Sequence, residues 1–104
     1  MTGSYPAKRI EIILDEPLLP RVLAALRAAG VTGHSAMRLM SGHGEGGSWT
    51  EERVTSAESK LMVIAVASAA HADDALTALA PLLDSYGMLL TIADVAVARP
   101  GKFA

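Results

Sequence analysis

Residues 41–59, SGHGEGGSWTEERVTSAES, form a long polar interruption between two apolar, strand-like segments. The interruption is rich in glycine and holds the only tryptophan of the chain, Trp49. Connections within a small domain usually have about 4 to 6 residues, and those longer than about 12 to 15 are generally functional or disordered. We therefore expect a loop that a ligand or partner can organise, with a disordered excursion as the alternative.

The residues before this loop predict a strand, a helix and a second strand. Apolar residues alternate in Lys8–Leu14, which is the period of a strand. Asp15 and Glu16, just before Pro17, mark the start of a helix, apolar residues then recur at helical spacing, and Gly30 marks the helix end. A second strand is predicted over His34–Met40, where Ser35, Met37 and Leu39 would share a face.

The residues after the loop predict a third strand and a second helix. Lys60–Ala67 is a continuous apolar run, which is typical of a central strand covered on both faces. His71–Leu83 predicts a helix with Asp73 and Asp74 in its first turn. Pro81 is expected to kink this helix or to end it early.

The order of the elements predicts the fold class. After a turn, Met88–Ala98 gives a fourth strand, in which Asp94 favours an edge position. Strand, helix, strand, strand, helix, strand is the order of the α+β ferredoxin-like fold, a four-stranded antiparallel sheet with both helices on one face. Residues 1–7 and 99–104 are read as a flexible lead-in and a tail, so that residues 1–104 form a single domain.

A sheet with both helices on one face leaves its second face uncovered. The predicted strands carry apolar residues on that face as well, and a large apolar patch is rarely left to water. We therefore expect the chain to assemble with copies of itself around a closed symmetry axis.

Composition argues against several classes of function. The chain of 104 residues is 51% hydrophobic but only 4% aromatic, so a stacking platform for nucleic-acid bases is not expected. Its net charge of −2 at pH 7 argues against binding to a nucleic-acid backbone. Without cysteine it has no disulfide, thiolate nucleophile or cysteine zinc site. No apolar run reaches about 18 residues, and the first residues lack a signal-peptide core, so we expect a cytoplasmic protein without membrane insertion.

Neither a metal centre nor an active site is predicted. His34, His43 and His71 are irregularly spaced, which favours surface or ligand-adjacent roles over metal ligation. A metal-binding trimer of the copper-tolerance type, which shares the predicted architecture, is the alternative function. The sequence shows no nucleophile and base pair, no paired carboxylates and no Gly-x-Ser-x-Gly motif, so we expect no catalytic residues.

Two glycine motifs resemble those of a known family. Gly-Val-Thr-Gly at residues 30–33 follows the first predicted helix, and Gly-His-Gly at residues 42–44 opens the long loop. The PII signal-transduction family has a Gly-hydrophobic-Thr-Gly motif after its first helix and a Gly-x-Gly at the start of its T-loop. The chain resembles this family over essentially its whole length, with residues 41–59 in the place of the T-loop.

The resemblance implies a non-enzymatic homotrimer that binds adenine nucleotides in clefts between subunits and signals to a partner protein through the T-loop. Carried over by position, the nucleotide contacts fall on Thr32, Gly33 and Ser35 near the base and ribose, Gly42 and Gly44 near the phosphates, Lys60, Met62 and Ile64 along the adenine edge, Gly87 and Met88 in the B-loop, and the basic residues Arg99 and Lys102. For the loop glycines the alternative is a flexible linker, and for Lys60, Arg99 and Lys102 it is ordinary solvated cations. Trp49 is predicted to contact the partner, with local packing as its alternative.

The chain also departs from the family pattern. After Gly44 it has Glu45 and Gly46 where the family usually has Arg-Gln, and its B-loop is short, so we expect ADP or AMP to bind in preference to ATP and leave a role for magnesium open. Residues 41–59 contain no tyrosine that could be uridylylated. These departures resemble the small PII-like members associated with carboxysomes and inorganic-carbon uptake. That branch makes bicarbonate a candidate second ligand, and a bicarbonate transporter or carboxysome-associated protein a candidate partner.

Overall fold

The computed structural model describes residues 3–44, 47–50 and 59–98. The elements in these ranges are β1 Tyr5–Asp15, a 3-10 turn Glu16–Leu18, α1 Leu19–Ala28, β2 Ser35–Arg38, β3 Ser41–Gly44, β4 Gly47–Thr50, β5 Lys60–Ala67, α2 Ala69–Ser85 and β6 Leu89–Val97. One antiparallel sheet has the strand order β2-β5-β1-β6, and β3 and β4 form a separate antiparallel hairpin. The predicted α+β ferredoxin-like fold is confirmed.

The core lies between one face of the four-stranded sheet and both helices. In the centre of the sheet Ile12 of β1 is the direct partner of Val63 of β5, and both side chains are fully buried. Val22 and Leu26 of α1 and Leu79 of α2 are buried in the same cluster. Burial of an aliphatic side chain of this size contributes roughly 1.5–3 kcal/mol, so this helix-covered face supplies most of the stability of a single copy.

β1 begins earlier than the sequence predicts. The segment from Tyr5 to Ala7, read as part of a flexible lead-in, pairs with the segment from Val97 back to Val95 in β6. The pairing partners of residues 5–7 come from the far end of the long fourth strand. The alternation of apolar residues in β1 contains no information about these distant partners.

The first helix begins later than predicted. A 3-10 turn, Glu16–Leu18, precedes the α-helix, which starts at Leu19. Asp15 makes no side-chain capping hydrogen bond to this turn. Its carboxylate instead accepts a hydrogen bond from the ammonium of Lys60, a contact between strands that competes with capping. The helix end agrees with the prediction, because Gly30 has a φ of 88°, in the left-handed region that favours glycine.

α2 begins before and ends after its predicted range. The hydroxyl of Ser68 accepts a hydrogen bond from the backbone N–H of His71 at 3.2 Å, which caps the helix start. The predicted first-turn position of Asp73 and Asp74 is wrong, because the helix starts at Ala69 and its first turn contains no acidic residue.

Pro81 lies inside α2, and the prediction that it shortens the helix is wrong. The helix continues to Ser85. Leu79 is fully buried on one side of the proline and Leu82 packs against the core on the other, so tertiary packing outweighs the lost backbone hydrogen bond. Neither α1 nor α2 has the length and apolar character needed to cross a membrane.

β5 has the predicted bounds and the predicted central position, between β2 and β1. Its residues alternate between buried and half-buried, so the expected coverage of both faces is not found within one copy. β2 is shorter than predicted, because only its residues from Ser35 to Arg38 pair with β5.

The sheet face turned away from the helices, here called the open face, carries an apolar row from edge to edge. Met37 of β2 pairs with Met62 of β5, which pairs with Ile13 of β1, which pairs with Leu89 of β6. Met37 is 44% exposed and Leu89 is 58% exposed. Met40, which follows β2, is 78% exposed as well.

Candidate functional site

The predicted long loop contains an ordered hairpin. Gly42 of β3 pairs with Trp49 of β4, and Gly44 pairs with Gly47. Gly47 has a φ of 99°, a conformation that favours glycine. The disordered alternative is wrong for this hairpin, while residues 45–46 and 51–58 lie outside the described residues.

The indole ring of Trp49 lies directly on the backbone of Gly42. A Cβ atom at position 42 would be only 2.5 Å from Cζ2 and 2.8 Å from Cε2 of the ring. In the neighbouring pair of the hairpin, His43 Nδ1 and Ser48 Oγ are 2.8 Å apart, a hydrogen-bonding distance. Trp49 therefore makes a local packing contact, which was the alternative to its contact with a partner. The partner contact stays a prediction.

Backbone hydrogen bonds hold the two stems that lead into and out of the hairpin segment. The N–H of Leu39 donates to the carbonyl of Lys60 at 2.9 Å, which joins the stems to each other. The N–H of Glu16 donates to the carbonyl of Ser59 at 2.8 Å, which joins the returning stem to the end of β1. Ser59 is the one buried polar residue among those described, so the base of the hairpin segment is firmly attached to the sheet.

Two ion pairs contact the same stems. Arg38 Nη1 lies 2.5 Å from Glu16 Oε1, and Lys60 donates a hydrogen bond to Asp15. Lys60 and Asp15 are direct cross-strand partners on the open face. Glu16 and Arg38 instead line a groove of about 320 Å³ on the helix side, together with Leu19 and other apolar residues. Neither Glu16 nor Arg38 is among the site residues predicted from the sequence, because their pairing depends on the register of β2.

Several predicted nucleotide contacts come together at the β2 edge of the open face. Ser35 is the direct partner of Ile64, and Met62 lies one row away on the same face. Thr32 and Gly33 are exposed in the segment that leads into β2. Ser35, Met62 and Ile64 therefore lie together at this edge, with Lys60 towards the hairpin stems and with Thr32 and Gly33 beyond the other end of β2.

The predicted B-loop residues lie at the other edge of the sheet. Gly87 and Met88 precede β6, whose first residue pairs with Ile13 of β1. Because β5 and β1 lie between β2 and β6, the two edges are three strand spacings apart, about 14 Å. A single copy therefore does not bring Gly87 and Met88 together with Ser35.

Arg99 and Lys102 lie outside the described residues. β6 ends at Val97, which pairs with Tyr5 at the start of β1. The hairpin stems meet the opposite end of β1, where Asp15 pairs with Lys60. The last strand thus ends at the side of the sheet remote from the hairpin.

Residues 3–44, 47–50 and 59–98 contain no group of three or more His, Asp or Glu residues that could hold a metal ion. His43 lies in the hairpin beside Ser48. His71 packs over Gly30, with its Nε2 atom 3.0 Å from where a Cβ of Gly30 would be.

Another ion pair of the sheet lies far from the hairpin. Lys8 Nζ and Asp94 Oδ1 are 2.5 Å apart. Lys8 of β1 and Asp94 of the edge strand β6 are direct cross-strand partners. The Asp94 carboxylate accepts a hydrogen bond from Lys8 and attracts its charge, which raises the pKa of Lys8 above its ordinary value of 10.5. The predicted edge position of Asp94 is confirmed.

The family model for nitrogen regulatory protein P-II matches residues 7–102. The chain belongs to the P-II family. The match covers the hairpin, both edges of the sheet and the predicted nucleotide contacts. The resemblance to the PII signal-transduction family is therefore confirmed.

Solved structures of PII-like proteins share the whole architecture. CPII, a nitrogen regulatory PII-like protein from Thiomonas intermedia bound to ADP, AMP and bicarbonate, is 26% identical with a TM-score of 0.87, over 97% of this chain and 96% of CPII. A CPII structure with ADP and bicarbonate gives 26% identity and a TM-score of 0.86, over 98% of both chains. A PII-like signalling protein from Thermus thermophilus shares the fold, with a TM-score of 0.82 at 19% identity over 98% of this chain and 99% of that one. The search of curated proteins found no match. The chain is a divergent, PII-like member of the family.

Proposed function

We propose that this P-II protein is a non-catalytic sensor that binds ADP or AMP in clefts between copies and acts on a partner protein through the segment 41–59. The observation that supports this most strongly is the likeness to CPII, which was solved with ADP, AMP and bicarbonate and matches 97% of the chain. Its ligands are small anions, and the glycine-rich hairpin offers backbone N–H groups that suit an anion.

The distribution of the predicted contacts supports a site shared between copies. Ser35, Met62 and Ile64 lie at the β2 edge, whereas Gly87 lies beside the β6 edge, about three strand spacings or 14 Å away. One nucleotide base does not span that distance within a copy. A second copy that places its β6 edge beside the β2 edge of the first would bring the two sets together.

The open face supports assembly into a homotrimer. Its apolar row includes Ile13, Met62 and the strongly exposed Leu89. Water contact with such a row is unfavourable by roughly 25 cal/mol per Å² of apolar surface. Packing the open faces of three copies around a threefold axis would remove this surface from water and would leave the β2 and β6 edges to meet at three equivalent clefts.

The proposed preference for ADP or AMP over ATP follows from side chains that the family usually has and this sequence lacks. Glu45 and Gly46 replace the usual Arg-Gln of the family after Gly44, so a third phosphate would find one cation fewer. Bicarbonate is the proposed second ligand, since a glycine-rich segment beside the phosphates can offer further backbone N–H groups to a small anion. The proposed partner is a bicarbonate transporter or a carboxysome-associated protein, recognised through the hairpin and Trp49.

Titration calorimetry with AMP, ADP and ATP, each with and without bicarbonate, tests the proposal. We expect AMP or ADP to bind at least as tightly as ATP, and bicarbonate to increase the affinity. Absence of heat with all three nucleotides would overturn the proposed function.

A matched pair of variants locates the binding site. The Cβ position of Gly33 has no atom within 4 Å, so Gly33→Trp can fold while filling the space at the β2 edge. We expect this variant to lose at least about tenfold in nucleotide affinity, which corresponds to about 1.4 kcal/mol. Ala24→Trp adds the same ring to the exposed side of α1 and should bind nucleotide like the wild type.

A further inference from the structure

The hairpin depends on its stems for its direction relative to the sheet. It forms a two-stranded sheet of its own, with four paired positions from Ser41↔Thr50 to Gly44↔Gly47. Two-stranded hairpins are only marginally stable when isolated. Contacts at the stems therefore decide how the hairpin is presented.

One residue contacts both stems. The backbone N–H of Glu16 donates to the carbonyl of Ser59 on the returning stem at 2.8 Å. Its carboxylate Oε1 accepts a hydrogen bond from Nη1 of Arg38 on the entering stem at 2.5 Å. Glu16 thus joins the chain on both sides of the hairpin segment to the junction between β1 and α1.

The preceding residue supports the returning stem from the other side of the sheet. Asp15 accepts a hydrogen bond from Lys60, and the two residues are direct partners on the open face. Arg38 lies on the opposite face, as the partner of the buried Leu61. Successive residues of a strand point to opposite faces, so the two acids hold the stems from opposite sides.

We propose that Glu16 is a positioning residue for the hairpin, acting through Arg38 and Ser59, with Asp15 as its counterpart on the open face. This inference deepens the proposed function, because it names the residues that set the direction of the proposed signalling segment. Both ion pairs are partly exposed to water, with side-chain exposures of 47% and 32% for Arg38 and Glu16. Exposed pairs are weak, so losing one changes the hairpin population and leaves the fold intact.

Hydrogen exchange of the nucleotide-free protein tests this role. In Glu16→Gln the carboxylate charge is lost while the backbone bond to Ser59 remains. We expect exchange at the described hairpin amides, residues 41–44 and 47–50, to become about two- to fivefold faster, as the strength of an exposed ion pair implies. Exchange in the centre of β1 and β5 should stay unchanged. Faster exchange across the whole sheet would overturn the inference, because it would show a general loss of stability.

A charge reversal and a matched control complete the test. The double variant Glu16→Arg, Arg38→Glu restores opposite charges and should return hairpin exchange to within about twofold of the wild type, whereas each single reversal should accelerate it. Asp94→Asn removes an ion pair of the same kind at the other end of the sheet and should leave the hairpin unaffected. Equal acceleration by Asp94→Asn, or no rescue by the double reversal, would overturn the positioning role.

The outcome is separable from that of the proposed function. Exchange is measured without nucleotide, so the two experiments are independent. If the protein binds no nucleotide but the double reversal restores hairpin exchange, the proposed function is wrong and the role of Glu16 stands. If the protein binds ADP but substitution of Glu16 does not change hairpin exchange, the proposed function stands and the positioning role of Glu16 is wrong.

Discussion

Trp49 and Gly42 form a contact that the local preferences of the two residues do not indicate. The pairing of β3 with β4 places the two residues opposite each other, and the missing side chain of glycine leaves room for the ring. Because Trp49 is the only tryptophan of the chain, its fluorescence reports on this contact alone.

Gly42→Ala should open the Trp49 contact. The new Cβ would meet the ring at 2.5 Å, and overpacking of this kind typically costs about 1–3 kcal/mol. We expect the tryptophan emission to shift to longer wavelength as the ring becomes exposed, while the thermal unfolding of the sheet changes little. Gly44→Ala is the control, since nothing lies within 4 Å of its Cβ position. An unchanged spectrum in Gly42→Ala would contradict the ring placement.

The contribution of the Lys8–Asp94 ion pair to stability should depend on pH. The folded-state pKa of Lys8 is raised above 10.5 by Asp94, so the contribution of this pair is fully present below pH 10.5 and is lost as the pH rises through the folded value. In Asp94→Asn the pKa of Lys8, followed by NMR titration of its side chain, should fall towards its ordinary value. The pair is exposed, so the free energy of unfolding near pH 7 should change little. An identical Lys8 titration in both proteins would rule out this pairing.

Single residues with a backbone requirement were predictable from sequence, and those defined by tertiary partners were not. Gly30 was correctly read as a left-handed helix end, because that conformation favours glycine. The sequence places Asp15 at the start of the first helix, but its carboxylate makes no capping hydrogen bond and pairs with Lys60 instead. A carboxylate can cap a helix or pair with a lysine on the neighbouring strand, and only the strand register decides between these two roles.

At the scale of elements, the start of α2 offers a direct test. Ser68 accepts a hydrogen bond from the N–H of His71, and loss of such a cap costs about 1 kcal/mol. We expect Ser68→Ala to lower the free energy of unfolding in urea by about this amount, and Ser68→Asp to retain most of it. Equal destabilisation by both substitutions would show that the cap contributes nothing.

The sequence predicts best those elements whose hydrophobic pattern agrees with their position in the fold. β5 has the predicted bounds, because a continuous aliphatic run suits the centre of a sheet. The hairpin was missed, since glycine and serine have no strand preference of their own. α2 passes through Pro81 because the buried Leu79 on one side and the partly buried Leu82 on the other hold it on the sheet, and a propensity argument does not include that packing.

At the scale of the whole molecule, the open face predicts that the chain does not remain a monomer. Ile13 lies in the middle of the apolar row and is half-buried within one copy. Burying an unpaired carboxylate there costs several kcal/mol, so Ile13→Glu should weaken assembly by at least about a hundredfold. Ala24→Glu adds the same charge on the exposed side of α1 and should assemble normally. Light scattering that shows both variants in the same assembled state would contradict the proposed interface.

The architecture was predictable because the order of elements and one-sided helix packing leave few alternatives. The candidate site was predictable only in part. Ser35, Met62 and Ile64 come together through strand pairing, and their contact with a nucleotide stays a prediction. Glu16 and Arg38 were missed, because no local pattern shows that the β1–α1 junction contacts both stems of the hairpin.

Sedimentation velocity with ADP, followed at the absorbance of adenine, shows directly whether the nucleotide site lies between copies of the chain. We expect ADP to sediment with a species of three chains in the wild type, and to remain free when Ile13→Glu keeps the protein monomeric. A monomer that carries ADP, or a three-chain assembly that leaves all of it behind, would contradict a nucleotide site built between copies.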